Sequence, residues 1–156
     1  MMRVHKKFCL LSLILLFVSA GLLVGGCSDD DSTTDDFLPN VTMSINALDF
    51  GEIPLDTFLI ETVTIRNLLN ENVTIERVTS TNEVFRVGGY FAGGNLFELE
   101  VPFTIEPNGA RTLYIGFYPD AEGNFVGKVV IESTSETSGD ETDLVDLQGV
   151  GLPDLE

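Results

Sequence analysis

From Val41 onward, apolar and polar residues alternate with a period of two. Val41, Met43 and Ile45 share one side of the first run. Val63 and Ile65 then oppose Thr62, Thr64 and Arg66, and Val73 and Ile75 repeat the device. Phe97, Leu99 and Val101 alternate with Glu98 and Glu100. Leu113, Ile115 and Phe117 oppose Thr112 and Tyr114. Phe125, Val129 and Ile131 follow, and Val145 and Leu147 close the series. Strict alternation predicts strands buried on one face, and Val, Ile, Thr and Phe suit a pleated surface. The runs are separated by turn-forming stretches such as NLLNEN, EPNGA, PDAEGN and SETSGDE. No window carries an amphipathic helix with caps. Short strands at this spacing predict an all-β, two-sheet sandwich of about seven to nine strands. One domain is expected, over residues 41–152, with 153–156 as a tail.

The first forty residues follow another pattern. Arg3, Lys6 and Lys7 precede an apolar run from Phe8 to Val24, then small residues and Cys27. A basic start, an apolar centre and small residues before a cut site describe a secretory signal. The run is slightly short for a membrane span of about 20 residues, and its acidic flank supplies no positive stop-transfer charge. Val24-Gly25-Gly26-Cys27 resembles the bacterial lipobox. The resemblance implies a diacylglycerol on the Cys27 sulfur, cleavage before Cys27 and acylation of the new amino group. One acyl chain holds a protein to a membrane only marginally, whereas two or more hold it stably. The alternatives are an uncleaved anchor helix or an ordinary signal with an incidental cysteine. Residues 1–26 are therefore expected to be a lipoprotein signal peptide, and 27–40 a lipidated cysteine with a linker. Ser28–Pro39 is acidic and lacks apolar periodicity until its end, as a disordered tether does. Serine and an aspartate run directly after the cysteine resemble a lipoprotein surface-export signal; a plain solvated spacer has the same composition.

Composition narrows the chemistry. All 25 acidic residues follow Cys27, and three of the eight basic ones precede it. Cleavage leaves five basic residues against 25 acidic, a net of −20 instead of −17. That balance excludes ordinary nucleic-acid binding and opposes adsorption to an anionic membrane. The mature chain loses His5 and Cys9, so it keeps no histidine, no free thiol and no disulfide. Zinc sites built on Cys or His are excluded, as are Ser-His-Asp and Cys-His nucleophile systems. Acid–base chemistry would rest on carboxylates, tyrosines or Lys128. No cofactor and no enzymatic activity are expected.

Several short stretches carry a family resemblance when read in order. They are Leu48-Asp49-Phe50-Gly51, VTIRN at 63–67 with Leu69 behind it, FRV at 85–87, IEPNG at 105–109 and GFYP at 116–119. Gly123, the strand at 127–133 and VDLQGVG at 145–151 complete the order. The set resembles the abnormal-spindle/Hydin (ASH-type) immunoglobulin-like domain, whose bacterial form is called a choice-of-anchor D domain. The resemblance implies a PapD/MSP-like sandwich, a role in interaction or spacing, and no shared catalytic residues. Physically, Gly51 is expected to permit a positive φ or a bulge where the first strand bends between sheets. Asn67 is expected to bond nearby backbone groups at a strand end. Pro107 and Pro119 fit strand margins, and Gly149 and Gly151 mark the end of the last strand.

Residues 88–101, GGYFAGGNLFELEV, are longer than that pattern allows. Two interpretations stand: a protruding hairpin whose Tyr90, Phe91 and Phe97 bind a partner, or an extra strand folding those rings over the end of the sandwich. Ser138–Asp143 and Asp29–Asp31 offer oxygens for calcium but match no D-x-D-x-D-G loop. Asn40 and Asn72 head glycosylation-type triplets that are incidental in a bacterium. Glu98 and Glu100 share a wet strand face. Open sheet edges could accept a partner's strand. The expected function is a membrane-anchored bacterial lipoprotein carrying one non-catalytic Ig-like interaction or structural domain. Its expected place is the cell envelope, on the outer membrane, at the periplasmic or surface face. The expected partners are the membrane, through the lipid on Cys27, and an envelope protein or surface glycan. The alternative is a carboxylate-dependent glycan hydrolase or a calcium-dependent binding protein.

Overall fold

A computed structural model describes residues 39–153. The signal segment, Cys27, nearly all of the linker and the last three residues lie outside the described residues. Ten strands form: β1 (Val41–Met43), β2 (Ala47–Pro54), β3 (Leu59–Asn67), β4 (Val73–Ser80), β5 (Phe85–Ala92), β6 (Asn95–Glu98), β7 (Phe103–Ile105), β8 (Ala110–Phe117), β9 (Gly123–Ser135) and β10 (Gly139–Leu152). They make two five-stranded sheets, ordered β1-β3-β8-β5-β6 and β2-β10-β9-β4-β7. All neighbours are antiparallel except β2 and β10. This is the two-sheet sandwich that the alternation predicts, with ten strands because the first strand is split and residues 88–105 add short ones.

The split is local. β1 pairs with β3, and Ser44 continues that ladder by donating its N–H to the Thr64 carbonyl at 2.9 Å. Two residues on, the Asn46 carbonyl accepts from the Asp146 N–H of the other sheet at 2.9 Å. The chain changes sheets at Ser44–Asn46, so Ile45 is exposed instead of continuing the inward side of Val41 and Met43. Gly51 is not at this crossing. It lies inside β2, where the register with β10 shifts between Gln148 and Val150, at φ 65°. A left-handed glycine within a bulged strand is the arrangement a β-bulge favours. The Asp49 carboxylate accepts the Gly51 N–H at 2.9 Å and the Gln148 amide at 2.7 Å. Phe50 between them turns into the core.

The core lies between the sheets. Val63, Ile65, Leu113 and Ile115 come from one sheet, and Val73, Ile75, Val129, Ile131, Val145 and Leu147 from the other, all buried. Burying such a side chain contributes about 1.5–3 kcal/mol. At one end Phe50, Phe85 and Phe117 pack as a triad, with centroids 5.0–5.6 Å apart. Gly149 does not end β10, which runs on to Leu152. It makes room for a ring: a Cβ there would sit 2.6 Å from Phe117 Cε1.

Two buried asparagines tie loops to strands. Asn67 ends β3 and donates through Nδ2 to the carbonyls of Glu71, Ile105 and Glu106 at 2.7, 3.0 and 3.1 Å. Its Oδ1 accepts the Leu69 N–H at 2.8 Å. One side chain thus fixes the β3–β4 and β7–β8 connections together. Asn40 donates to Ser133 Oγ at 3.3 Å and to the Gly139 carbonyl at 2.8 Å, while its N–H bonds the Glu141 carboxylate. Its amide nitrogen is buried and committed to these two acceptors, so the folded chain does not present it as a glycosylation acceptor.

Candidate partner-binding surface

The 88–101 stretch forms a hairpin on the open edge of the β1-β3-β8-β5-β6 sheet. Its turn is Ala92-Gly93-Gly94-Asn95, with φ of 58° and 79° at the two glycines. Positive φ at both central residues is the two-residue turn whose twist matches paired strands. Below the turn Ala92 pairs with Asn95, Phe91 with Leu96 and Tyr90 with Phe97. The register then shifts, so that Gly88 opposes Glu98. Directly paired residues share a face, which puts Tyr90 and Phe97 on one side of the hairpin and Phe91 and Leu96 on the other.

Tyr90 and Phe97 stack with centroids 4.3 Å apart and planes 8° apart. They stay 53% and 39% exposed. The alternation groups Phe97 with Leu99 and Val101, yet of the three only Leu99 is buried. Phe97 shares the Leu99 side but sits nearer the tip, and β6 stops at Glu98 before Val101. Phe91, 36% exposed, meets Phe58 edge-on at 6.1 Å. Phe58 stacks on Tyr118 at 5.0 Å, and the Arg86 guanidinium lies 4.5 Å from the Tyr118 ring centre. The row lies on the outer side of the sheet because Tyr118 fills the space above Gly116, where a Cβ would come 2.5 Å from the ring. Partial burial pushes the Tyr118 phenol up, opposed by the Arg86 charge. The structure therefore brings Phe91 together with Phe58, Tyr118 and Arg86, and Tyr90 together with Phe97. Phe58, Tyr118 and Arg86 were not singled out in the sequence. The pattern of two does not mark Phe58, which precedes β3, and Tyr118 read as part of a fold signature.

Open grooves also line the described surface. One, of about 560 Å³, is lined by Thr81, Val126, Gly127, Lys128, Asp146, Leu147 and Gln148. Another of about 350 Å³ is lined in part by Asp49 and Asp146. Both carboxylates are committed: Asp146 pairs with Lys128, and the Gly51 N–H and then the Gln148 amide hold Asp49 below its ordinary value. That direction is opposite to what a general acid needs. A groove of about 420 Å³ places Glu83 and Asp120 around Arg86 and Tyr118. Among the described residues, no three acidic, histidine or cysteine side chains converge as a metal site. Gly139–Asp143 of the acidic stretch is the start of β10, paired with β9, and there burial and then the nearby Glu141 push Asp143 up. Cys27 lies outside the described residues.

No family model matches the chain, and no curated protein matches it. Solved structures do. The ASH/PapD-like domain 7 of human CEP192 is similar at TM-score 0.56 and 15% identity, over 74% of this chain and 87% of that one. The VesB protease of Vibrio cholerae is similar at 0.54 and 12%, over 71% of this chain but 32% of the protease. A protein of unknown function from Porphyromonas gingivalis W83 is similar at 0.53 and 16%, over 75% of this chain and 51% of that one. These likenesses establish the fold, an ASH/PapD-like Ig-like sandwich.

Proposed function

We propose that this sandwich is a non-catalytic interaction module, carried by a lipid on Cys27 at a bacterial envelope and presenting the β5–β6 hairpin to a partner. One observation carries the binding half. Among the described residues, the exposed aromatic rings are Phe58, Tyr90, Phe91 and Phe97, and all four gather at this hairpin. Monomeric proteins rarely leave large apolar side chains in one exposed place unless something covers them, and aromatic anchors dominate the energetics of interfaces. A fold of ASH/PapD type suits a binding or structural role. The basic start, apolar run and Cys27 at their spacing support the anchor, with the acidic tether as spacer and the outer membrane as its place. An envelope protein or a surface glycan is the partner class.

The test is crosslinking on intact host cells. A variant with Tyr90, Phe91 and Phe97 changed to Ser is compared with wild type at equal abundance. Loss of a specific captured partner supports the hairpin as the binding surface. Unchanged capture by a folded variant removes it. The anchor is tested separately: Cys27→Ser is expected to abolish incorporation of a labelled fatty acid and release the protein from the membrane fraction, and retention of the label would overturn it.

A further inference from the structure

The hairpin end of the sandwich combines aromatic rings with a surplus of negative charge. Between Val41 and Leu152, 18 carboxylates stand against five cations. Four of those cations are engaged within the domain. Arg77 pairs with Glu132 at 3.5 Å and Lys128 with Asp146, while Arg86 and Arg111 lie 4.5 Å over the rings of Tyr118 and Phe103. Around the exposed rings, Glu98 lies on β6 and Glu100 just beyond it, Asp56 lies two residues before Phe58, and Glu83 and Asp120 line the groove beside Tyr118. Glu98 falls on the same side of the hairpin as Phe91 and Leu96, because it lies two residues from Leu96 along β6 and Leu96 pairs with Phe91. Ring faces carry negative potential and attract guanidinium and ammonium groups. A negative field favours a positive partner and repels acidic sugars and acidic proteins.

Resting on the hairpin as the binding surface, we propose that its outer side docks a basic polypeptide segment of the partner. Arg or Lys side chains of that segment lie over Phe58 and Phe91 and pair with Glu98. The chain already uses this contact twice on its own surface, with Arg86 on Tyr118 and Arg111 on Phe103.

The experiment titrates the full chain, purified from its host in a neutral detergent, with three labelled probes at physiological salt: hexa-arginine, hexa-glutamate and a neutral N-acetylglucosamine hexamer. Hexa-arginine is expected to bind and the other two are not. Phe58→Ser with Phe91→Ser is expected to weaken binding about 5- to 10-fold, from two exposed cation–ring contacts. Glu98→Gln is expected to weaken it about 2- to 4-fold and keeps the test valid if the double variant unfolds. Glu76→Gln with Glu136→Gln removes charge away from the hairpin. It is expected to change affinity by less than about 1.5-fold, because charges beyond about 8 Å are screened at this salt. Equal loss in that control, or unchanged affinity in the hairpin variants, would show attraction to net charge alone and overturn the proposal. Binding of the sugar hexamer in place of hexa-arginine would also overturn it, as would absence of binding up to millimolar peptide. A cell-captured partner lost in the Tyr90, Phe91 and Phe97 variant without hexa-arginine binding would leave the binding surface standing and remove only its basic occupant.

Discussion

Asn67 offers a sharp test of what holds the sandwich together. Asn67→Ala removes four side-chain hydrogen bonds, but their costs differ. The bonds from Nδ2 to the Ile105 carbonyl and from the Leu69 N–H to Oδ1 are buried, so their partners are left dry and unpaired. Each orphaned group costs about 1–3 kcal/mol. The Glu71 and Glu106 carbonyls are partly wet, and water replaces most of their bonds, leaving about 0.5 kcal/mol each. The total is about 5 kcal/mol, which for a domain of about 110 residues lowers Tm by about 20 °C. Urea unfolding followed by far-UV circular dichroism would read this as a fall in midpoint at constant slope. Asn67→Asp keeps the shape but replaces a donor with a charge facing three carbonyls, so it should cost at least as much at pH 7. Burial against three carbonyls, with only the Leu69 N–H left to donate, raises the folded pKa of that new carboxyl above its unfolded value of about 3.9. The Asp variant therefore recovers stability as pH falls toward that value and loses it as pH rises through the folded pKa. A loss below about 1 kcal/mol in Asn67→Ala would refute the stapling of two loops by one amide.

Other outcomes follow from the same geometry. Gly149→Ala forces a methyl group against Phe117 and is expected to cost about 1–3 kcal/mol, measured by the same unfolding curves. Gly51→Ala meets open space but must hold φ near 65°, so its cost is about 1 kcal/mol and purely conformational. Hydrogen bonds hold the Asp49 and Glu71 carboxyls below their ordinary values, Asp49 through Gly51 first and Glu71 through Thr137 first. Their contribution is present above the unfolded values and lost as pH falls through the folded ones, so Asp49→Asn should flatten the acid limb of a Tm-against-pH profile. Asp143 acts in the opposite sense, being raised by burial and then by Glu141. Asp143→Asn should raise Tm at pH 7, with the gain vanishing as pH drops below about 3.9, where the wild-type carboxyl is protonated in both states.

The two-sheet sandwich was legible because its signal is redundant. Val63, Ile65, Leu113, Ile115, Val129 and Ile131 each repeat the inward side of a strand, and every one is fully buried. What could not be read was where a strand loses its register. Ile45 continues the alternation of Val41 and Met43 in the sequence, but the chain changes sheets at Ser44–Asn46 and turns it outward. A one-residue shift moves every later side chain to the other face, and the Gly88–Glu98 bulge does this inside the hairpin. Tyr90, Phe91 and Phe97 were legible as an aromatic cluster, but their division between two faces was not. The partners of Phe91 were hidden for another reason. Phe58 and Tyr118 lie in loop and strand-end positions 33 and 27 residues away, and only the sheet order brings them alongside.

Sheet order also explains why rings collect on this face. Strand β8 is the central strand of its sheet, paired on both sides, and it carries Gly116 outward between Leu113–Phe117 neighbours that fill the core. A glycine on a central strand leaves a hollow in the outer surface. Tyr118, two residues along the same chain, folds back into that hollow, and Ile60 closes it from β3. With Tyr118 laid flat, Phe58 has a ring to stack on, and Phe91 has an edge to meet. Gly149 shows the same device on the core side, where the space left by a missing side chain is taken by Phe117. The fold uses one means for two ends. Turned inward it closes the core. Turned outward it assembles a row of rings from three separate stretches of chain, and that row is where a partner's side chains would find both apolar surface and negative charge.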